Sequence, residues 1–118
     1  MTDPKDVNNF QELCQKLRKL PIEELRFQEK DYLEFVLLKS EIKALHKELE
    51  SYFGPSLDIA KKDSKEALDF VEQWGGIRAD QSLYYKAQGK WTEFAMIWPW
   101  SGGERASVRV GQVKDSFF

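Results

Sequence analysis

The sequence predicts an α+β fold in which N-terminal helices, one of them long and amphipathic, pack on a C-terminal three-stranded antiparallel sheet. Residues 1–75 carry apolar side chains spaced three and four apart, which is the period of amphipathic helices. Residues 81–113 instead hold three runs rich in β-branched and aromatic residues, separated by glycine-containing turns. At 118 residues the chain has the length of a single domain, 1–118, in which 114–118 form a tail.

The first helix is predicted from about Lys5 to Leu20. Pro21 ends it, because proline lacks a backbone donor and disfavours helical backbone at the residue before it. Pro21 also suits the first turn of a second, short helix over "PIEELRF" (21–27). The apolar residues on one face of the first helix are Val7, Phe10, Leu13, Cys14, Leu17 and Leu20.

The longest helix is predicted from about Asp31 to Phe53, between a capping aspartate and the stop signal Gly54-Pro55. Its apolar residues are spaced 3, 4, 3, 4 and 3 apart, which is the a/d pattern of a coiled-coil seam. This pattern predicts a homodimer formed through the helix; the alternative is that the same seam packs against the first helix within one chain. The seam consists of Phe35, Leu38, Ile42, Leu45, Leu49 and Tyr52.

A fourth helix is predicted to begin at "DSKE" (63–66), where Asp63 and Glu66 have the spacing of a capping box. The three predicted strands are "SLYYKA", "WTEFAMIW" and "RASVRVGQV". In the second hairpin, an odd number of loop residues pairs Trp98 with Val108, whereas an even number pairs Trp98 with Ser107. We favour the odd loop, because it keeps apolar residues opposite apolar residues.

The segment "KWTEFAMIWPW" (90–100) contains three of the four tryptophans. Alternate residues of a strand face opposite sides, and neither side of this strand is polar, so both sides need cover. One interpretation is that the helices provide this cover; the other is that an aromatic surface binds another protein. Trp100 follows a proline and precedes a turn, which favours its exposure. The residues predicted to bind a partner are Trp91, Trp98, Trp100 and Tyr84.

The predicted function is that of a small, non-catalytic adaptor or regulatory module that binds another protein and forms a homodimer. An alternative is single-stranded nucleic-acid binding on the sheet, where basic side chains lie among aromatic ones. A further alternative is a small-ligand carrier or an enzyme with a pocket between helices and sheet. The net charge of −2 gives no separate indication of nucleic acid or membrane as a partner. The basic residues of the nucleic-acid alternative are Lys86, Lys90, Arg105 and Arg109.

Catalytic and metal-binding motifs are absent from the sequence, so no enzyme activity, metal or cofactor is predicted. The single cysteine, Cys14, falls in the apolar stripe of the first helix, and no group is apparent that would orient the single histidine, His46, as its base. One cysteine also excludes an internal disulfide. The chain shows neither a signal peptide nor a membrane-spanning apolar run, which predicts a cytoplasmic protein.

Overall fold

The computed structural model describes residues 5–58, 60–61, 64–78 and 80–114. Within these residues three α-helices accompany a five-stranded antiparallel sheet, which confirms the α+β class. The helices are α1 (Lys5–Arg18), α2 (Ile42–Phe53) and α3 (Lys65–Val71). The strands are β1 (Glu24–Glu29), β2 (Tyr32–Leu38), β3 (Ser82–Gln88), β4 (Trp91–Pro99) and β5 (Arg105–Lys114). Their order across the sheet is β1-β2-β5-β4-β3.

The predicted long helix over 31–53 is wrong in its first third, because residues 32–38 form β2. β2 pairs with β1 on one side and with β5 on the other, so both of its edges are hydrogen-bonded. Its buried residues Leu33, Phe35, Val36 and Leu37 lie on both faces of the sheet. A strand buried on both faces reads as a continuous apolar run rather than an alternating one. Only residues 42–53 are α-helical, after a 3-10 turn at 39–41.

β1 replaces the short helix predicted over 21–27, which is also wrong. It forms a hairpin with β2 through a two-residue turn at 30–31. The register shifts between Leu25 and Phe27, which is a β-bulge in β1. All six residues of β1 are exposed, and the strand lies at one edge of the sheet. The predicted three-stranded sheet is therefore one part of a larger sheet.

The C-terminal meander lies where the sequence predicts it, but the favoured register of its second hairpin is wrong. Trp98 pairs with Ser107, so the loop is the even one. Apolar residues still oppose each other on the other face, where Ile97 pairs with Val108. β4 is apolar on both faces, so the observed register places Ser107 and Arg109 opposite apolar residues on one face and keeps apolar pairs on the other.

Helices cover both faces of the sheet, and they bury most of the tryptophan-rich strand within the chain. The side that α1 and α2 cover is called the helix face, and the side that α3 covers is called the α3 face. The helix-face core includes Phe10, Leu17, Phe35, Leu45, Leu49, Tyr84, Ala95, Ile97 and Val108. The α3-face core consists of Ala67, Val71, Leu83, Phe94 and Met96.

Three predicted features lie outside the described residues: the capping residue Asp63, the side chain of Val7 and the tail beyond Lys114. The predicted first and fourth helices are present as α1 and α3. None of the described helices combines the length and the hydropathy that crossing a membrane requires.

Candidate binding surface

Exposed apolar side chains concentrate beside β1. Three large hydrophobic side chains are exposed in the described part of the chain: Leu25 (48%), Phe27 (47%) and Trp100 (39%). The guanidinium carbon of Arg26 lies 5.8 Å from the centroid of the Trp100 ring, so β1 and the segment that follows β4 contribute to one surface. Leu25, Arg26, Phe27 and Trp100 are called the edge patch.

Backbone and side-chain hydrogen bonds position Trp100 at the end of β4. Its amide nitrogen donates to the carbonyl of Arg105 at 2.8 Å, and its carbonyl accepts from the amide of Gly103 at 2.8 Å. Its indole Nε1 donates to Ser107 Oγ at 2.9 Å. These bonds fix the indole while part of the ring stays exposed. Large aromatic side chains with few rotamers are enriched among the residues that dominate protein interfaces.

The two exposed apolar side chains of β1 lie on opposite faces of the sheet. Leu25 pairs with Phe35, whose side chain is in the helix-face core, whereas Phe27 pairs with Glu34 on the other face. The Phe27 ring packs edge-on against Tyr32, with ring centroids 5.7 Å apart. An open edge strand with an exposed apolar side chain on each face is a template on which another strand can add.

An aromatic–cation cluster lies on the α3 face and has its partners inside the chain. The guanidinium carbon of Arg109 lies 4.3 Å from the centroid of the Trp98 ring, and its Nη1 donates to the carbonyl of Trp74. Its Nε lies 3.5 Å from Glu34 Oε1, an ion pair without hydrogen-bond geometry. The indole Nε1 of Trp98 donates to the carbonyl of Gly76 at 3.2 Å. This cluster therefore supports the sheet.

The four residues predicted to bind a partner lie in different environments. Trp100 belongs to the edge patch, Trp98 to the supporting cluster, and Trp91 is half-buried at the start of β4. Tyr84 is fully buried, so its predicted place on a binding surface is corrected. Its Oη lies 2.6 Å from His46 Nδ1, and burial raises the pKa of Tyr84 to about 12.

The predicted dimerisation seam is not one helical face. Phe35 and Leu38 belong to β2, whereas Ile42, Leu45, Leu49 and Tyr52 belong to α2. Leu45 and Leu49 are fully buried in the helix-face core. α2 packs against α1, with the rings of Phe10 and Tyr52 centred 6.5 Å apart. The α2 residues therefore pack within one chain, as the alternative predicts. The prediction of a single helical seam over 35–52 is wrong.

The basic residues of the nucleic-acid alternative do not share one surface. Lys86 Nζ lies 4.6 Å from the centroid of the Tyr52 ring, on the helix face. Arg109 lies on the α3 face, and Lys90 lies in the β3–β4 turn. Arg105 is paired with Glu23 at 2.8 Å. A single strand of nucleic acid needs a continuous basic path beside its stacking residues, and these four residues do not form one.

Of the edge-patch residues, Trp100 is predicted from the sequence to bind a partner, whereas Leu25, Arg26 and Phe27 are not. The signal for these three residues is the alternation of apolar and polar residues in "ELRFQE" (24–29), which is typical of a strand. Pro21 opposes this signal, because proline is common in the first turn of a helix. The short alternating run was therefore insufficient to identify β1.

The thiol of Cys14 is held in its unreactive form. Burial raises its pKa from 9.0 to about 11, an effect that Arg18 opposes and Asp31 and Glu93 reinforce. Because the thiolate is the reactive species, we expect iodoacetamide at pH 8 to modify Cys14 about a hundredfold more slowly in the folded chain than in urea. Mass-spectrometric time courses measure both rates, and equal rates would contradict the burial.

The described residues contain no group of three or more His, Cys, Asp or Glu side chains placed to hold a metal ion. Comparisons of the chain with protein-family models, curated proteins and solved structures find no match. Function is therefore inferred from the geometry of the chain itself.

Proposed function

We propose that the chain is a non-catalytic protein-binding module that takes up an extended segment of another protein along β1. The observation that supports this most is an open strand edge with exposed apolar side chains on both faces. Among the described residues no strand pairs with the outer edge of β1. Backbone hydrogen bonds along such an edge supply affinity, and contacts with neighbouring side chains supply selectivity.

The geometry of the edge patch defines the chemistry of the segment. Leu25 and Phe27 lie on opposite faces, so successive residues of an added strand would contact one and then the other. The segment is therefore extended and apolar on both faces. Trp100 enlarges the contact beside Arg26, whose guanidinium is already paired with Glu24 at 3.1 Å.

A homodimer stays a prediction to which no helical seam is now assigned. A second copy of the chain could supply the added strand, and sedimentation equilibrium separates this case from binding of another protein. A mass of 13.8 kDa at high micromolar concentration would identify a monomer whose β1 is open to a different partner.

Substitution of Trp100 by alanine is expected to weaken binding of an extended apolar peptide, selected from a displayed library on the intact chain, by about 2 kcal/mol, or roughly thirtyfold. Trp91→Ala is the matched control, since it removes an indole from β4 outside the edge patch. Isothermal titration calorimetry measures both affinities, and circular dichroism checks that each variant is folded.

Amide hydrogen exchange on the same complex gives a separate test of the binding mode. Strand addition should slow the exchange of outward-facing amides in residues 24–29, while the amides of β3 at the opposite edge keep their rates. Peptides that protect β3 alone, or that bind Trp100→Ala as tightly as the unchanged chain, would contradict the proposal.

A further inference from the structure

A cleft of about 400 Å³ lies at one end of the helix face, between α2 and the ends of β3, β4 and β5. None of the edge-patch residues lines it. Its apolar wall is formed by Ile42, Ile97, Pro99 and Ala106, of which Ile97 and Ala106 are almost fully buried. A volume of this size is within the range of small-molecule sites, about 300–1,000 Å³.

The polar part of the cleft includes two cationic side chains, Lys39 and Arg105. Lys39, His46 and Arg105 line it together with Ser82, and no aspartate or glutamate is among its lining residues. A cleft that combines cations with an apolar wall is complementary to an anion with an apolar body.

His46 is held in place by the buried core. Its Nδ1 lies 2.6 Å from Oη of the fully buried Tyr84. This hydrogen bond occupies one ring nitrogen and orients the imidazole. The other nitrogen, Nε2, is then the one available to a ligand.

Arg105 and Lys39 contribute differently to the positive charge. Arg105 Nε and Nη2 both donate to Oε1 of Glu23, at 3.2 and 2.8 Å, while Nη1 lies 3.9 Å from a Glu104 carboxylate oxygen, beyond hydrogen-bond distance. These two carboxylates offset much of the Arg105 charge and fix its position. Lys39 has no ion-pair partner among the described residues, so it is the main uncompensated cation.

We propose that this cleft binds a small organic anion, either a carboxylate or a phosphate monoester, that carries an apolar body. Lys39, the Nε2 atom of His46 and the Nη1 group of Arg105 bind its charged head. Its apolar body packs on Ile42 and Pro99. This site is separate from β1, and it does not depend on the proposed binding of a protein segment.

Titrations of the ¹⁵N-labelled full chain, followed by NMR, test the charge and the body of the ligand separately. The probes are benzoate, phenyl phosphate, neutral benzyl alcohol and inorganic phosphate. We expect saturable shifts in the amides of residues 39–46 and 97–106, with one of the two aromatic anions binding at least about tenfold more tightly than the alcohol and than inorganic phosphate. Shifts that do not saturate, or equal binding of the alcohol, would overturn the proposal.

A pair of charge-neutralising variants tests the assigned cation. Lys39→Gln should lower the affinity for the more tightly bound aromatic anion by about threefold or more, since it removes the main uncompensated charge of the cleft. Lys43→Gln makes the same change on the exposed surface of α2, outside the cleft, and should leave the affinity unchanged. Equal weakening by the two variants would show a diffuse charge effect and refute the site. Both lysines are exposed, so neither substitution should disturb the fold. Comparison of the ¹⁵N spectrum of each variant with that of the unchanged chain checks this.

Discussion

Replacement of Gly111 by alanine is expected to lower the free energy of unfolding by about 3 kcal/mol. Gly111 in β5 lies directly opposite Phe94 in β4, and a Cβ there would lie 2.7 Å from two carbons of the Phe94 ring. The ring is fully buried and is flanked by Trp74 and Phe70, with centroids 4.5 and 5.9 Å away. It cannot move aside without displacing the α3 region. This clash outweighs the roughly 0.4–1 kcal/mol that a compatible glycine-to-alanine change gains.

Urea unfolding of a double-mutant cycle identifies the cause of this loss. Phe94→Leu shortens the side chain that the new methyl would meet, so the double variant should lose at least about 1 kcal/mol less than the sum of the two single variants. Gly102→Ala is the control, because no atom lies within 4 Å of its added Cβ, and its effect should stay within about 0.5 kcal/mol. Additive losses at Gly111 and Phe94 would show that the ring does not exclude the methyl.

The change of hydrophobic period along the chain predicts the fold class, but it does not predict the two N-terminal strands, β1 and β2. Phe35 and Leu38 on β2 and Ile42 on α2 keep a helical spacing across the boundary between a strand and a helix. β2 is buried on both faces, so it lacks the alternation that identifies a half-buried strand. Its pairing with β5 decides its structure, and a local pattern carries no information about a partner so distant in sequence.

The register of β4 and β5 depends on polar partners that only the tertiary structure supplies. In the observed register Arg109 and Ser107 lie on the α3 face. There Arg109 bonds the carbonyl of Trp74, and Ser107 accepts from the indole of Trp100. The sequence shows two polar residues among apolar ones, and it does not show that a helix end and a tryptophan will satisfy them.

Only part of the candidate site can likewise be predicted from local sequence, and the rest depends on the tertiary structure. Trp100 is exposed, as its position after a proline and before a turn predicts. The sequence does not predict that Leu25, Arg26 and Phe27 lie beside Trp100, because β1 forms only by pairing with β2. The cleft beside His46 likewise assembles Lys39, Ile97 and Arg105 from three separate elements. Residues that converge through sheet order leave no spacing signal in the sequence.

Replacement of Glu93 by leucine is expected to cost about 3 kcal/mol of stability. Glu93 is 5% exposed in β4, and its carboxylate accepts two hydrogen bonds, from Tyr52 Oη at 2.6 Å and from Gln112 Nε2 at 2.7 Å. Hydrogen bonds to a charged group contribute about 1.5–3 kcal/mol each, and without the carboxylate the buried Gln112 amide loses its acceptor. Leucine fills part of the space with apolar surface, which offsets some of the loss.

Removal of Glu93 together with its two hydrogen-bonding side chains should restore most of this stability, because a buried carboxylate is costly to desolvate and apolar replacement of a charged group with its partners is often neutral. The test is urea unfolding of Glu93→Leu beside the triple variant that adds Tyr52→Phe and Gln112→Leu. Gln112 Oε1 already has no hydrogen-bond partner among the described residues, so the native network is incompletely satisfied, which favours recovery. A triple variant as unstable as Glu93→Leu would assign the loss to packing, and a neutral Glu93→Leu would show that desolvation cancels both hydrogen bonds.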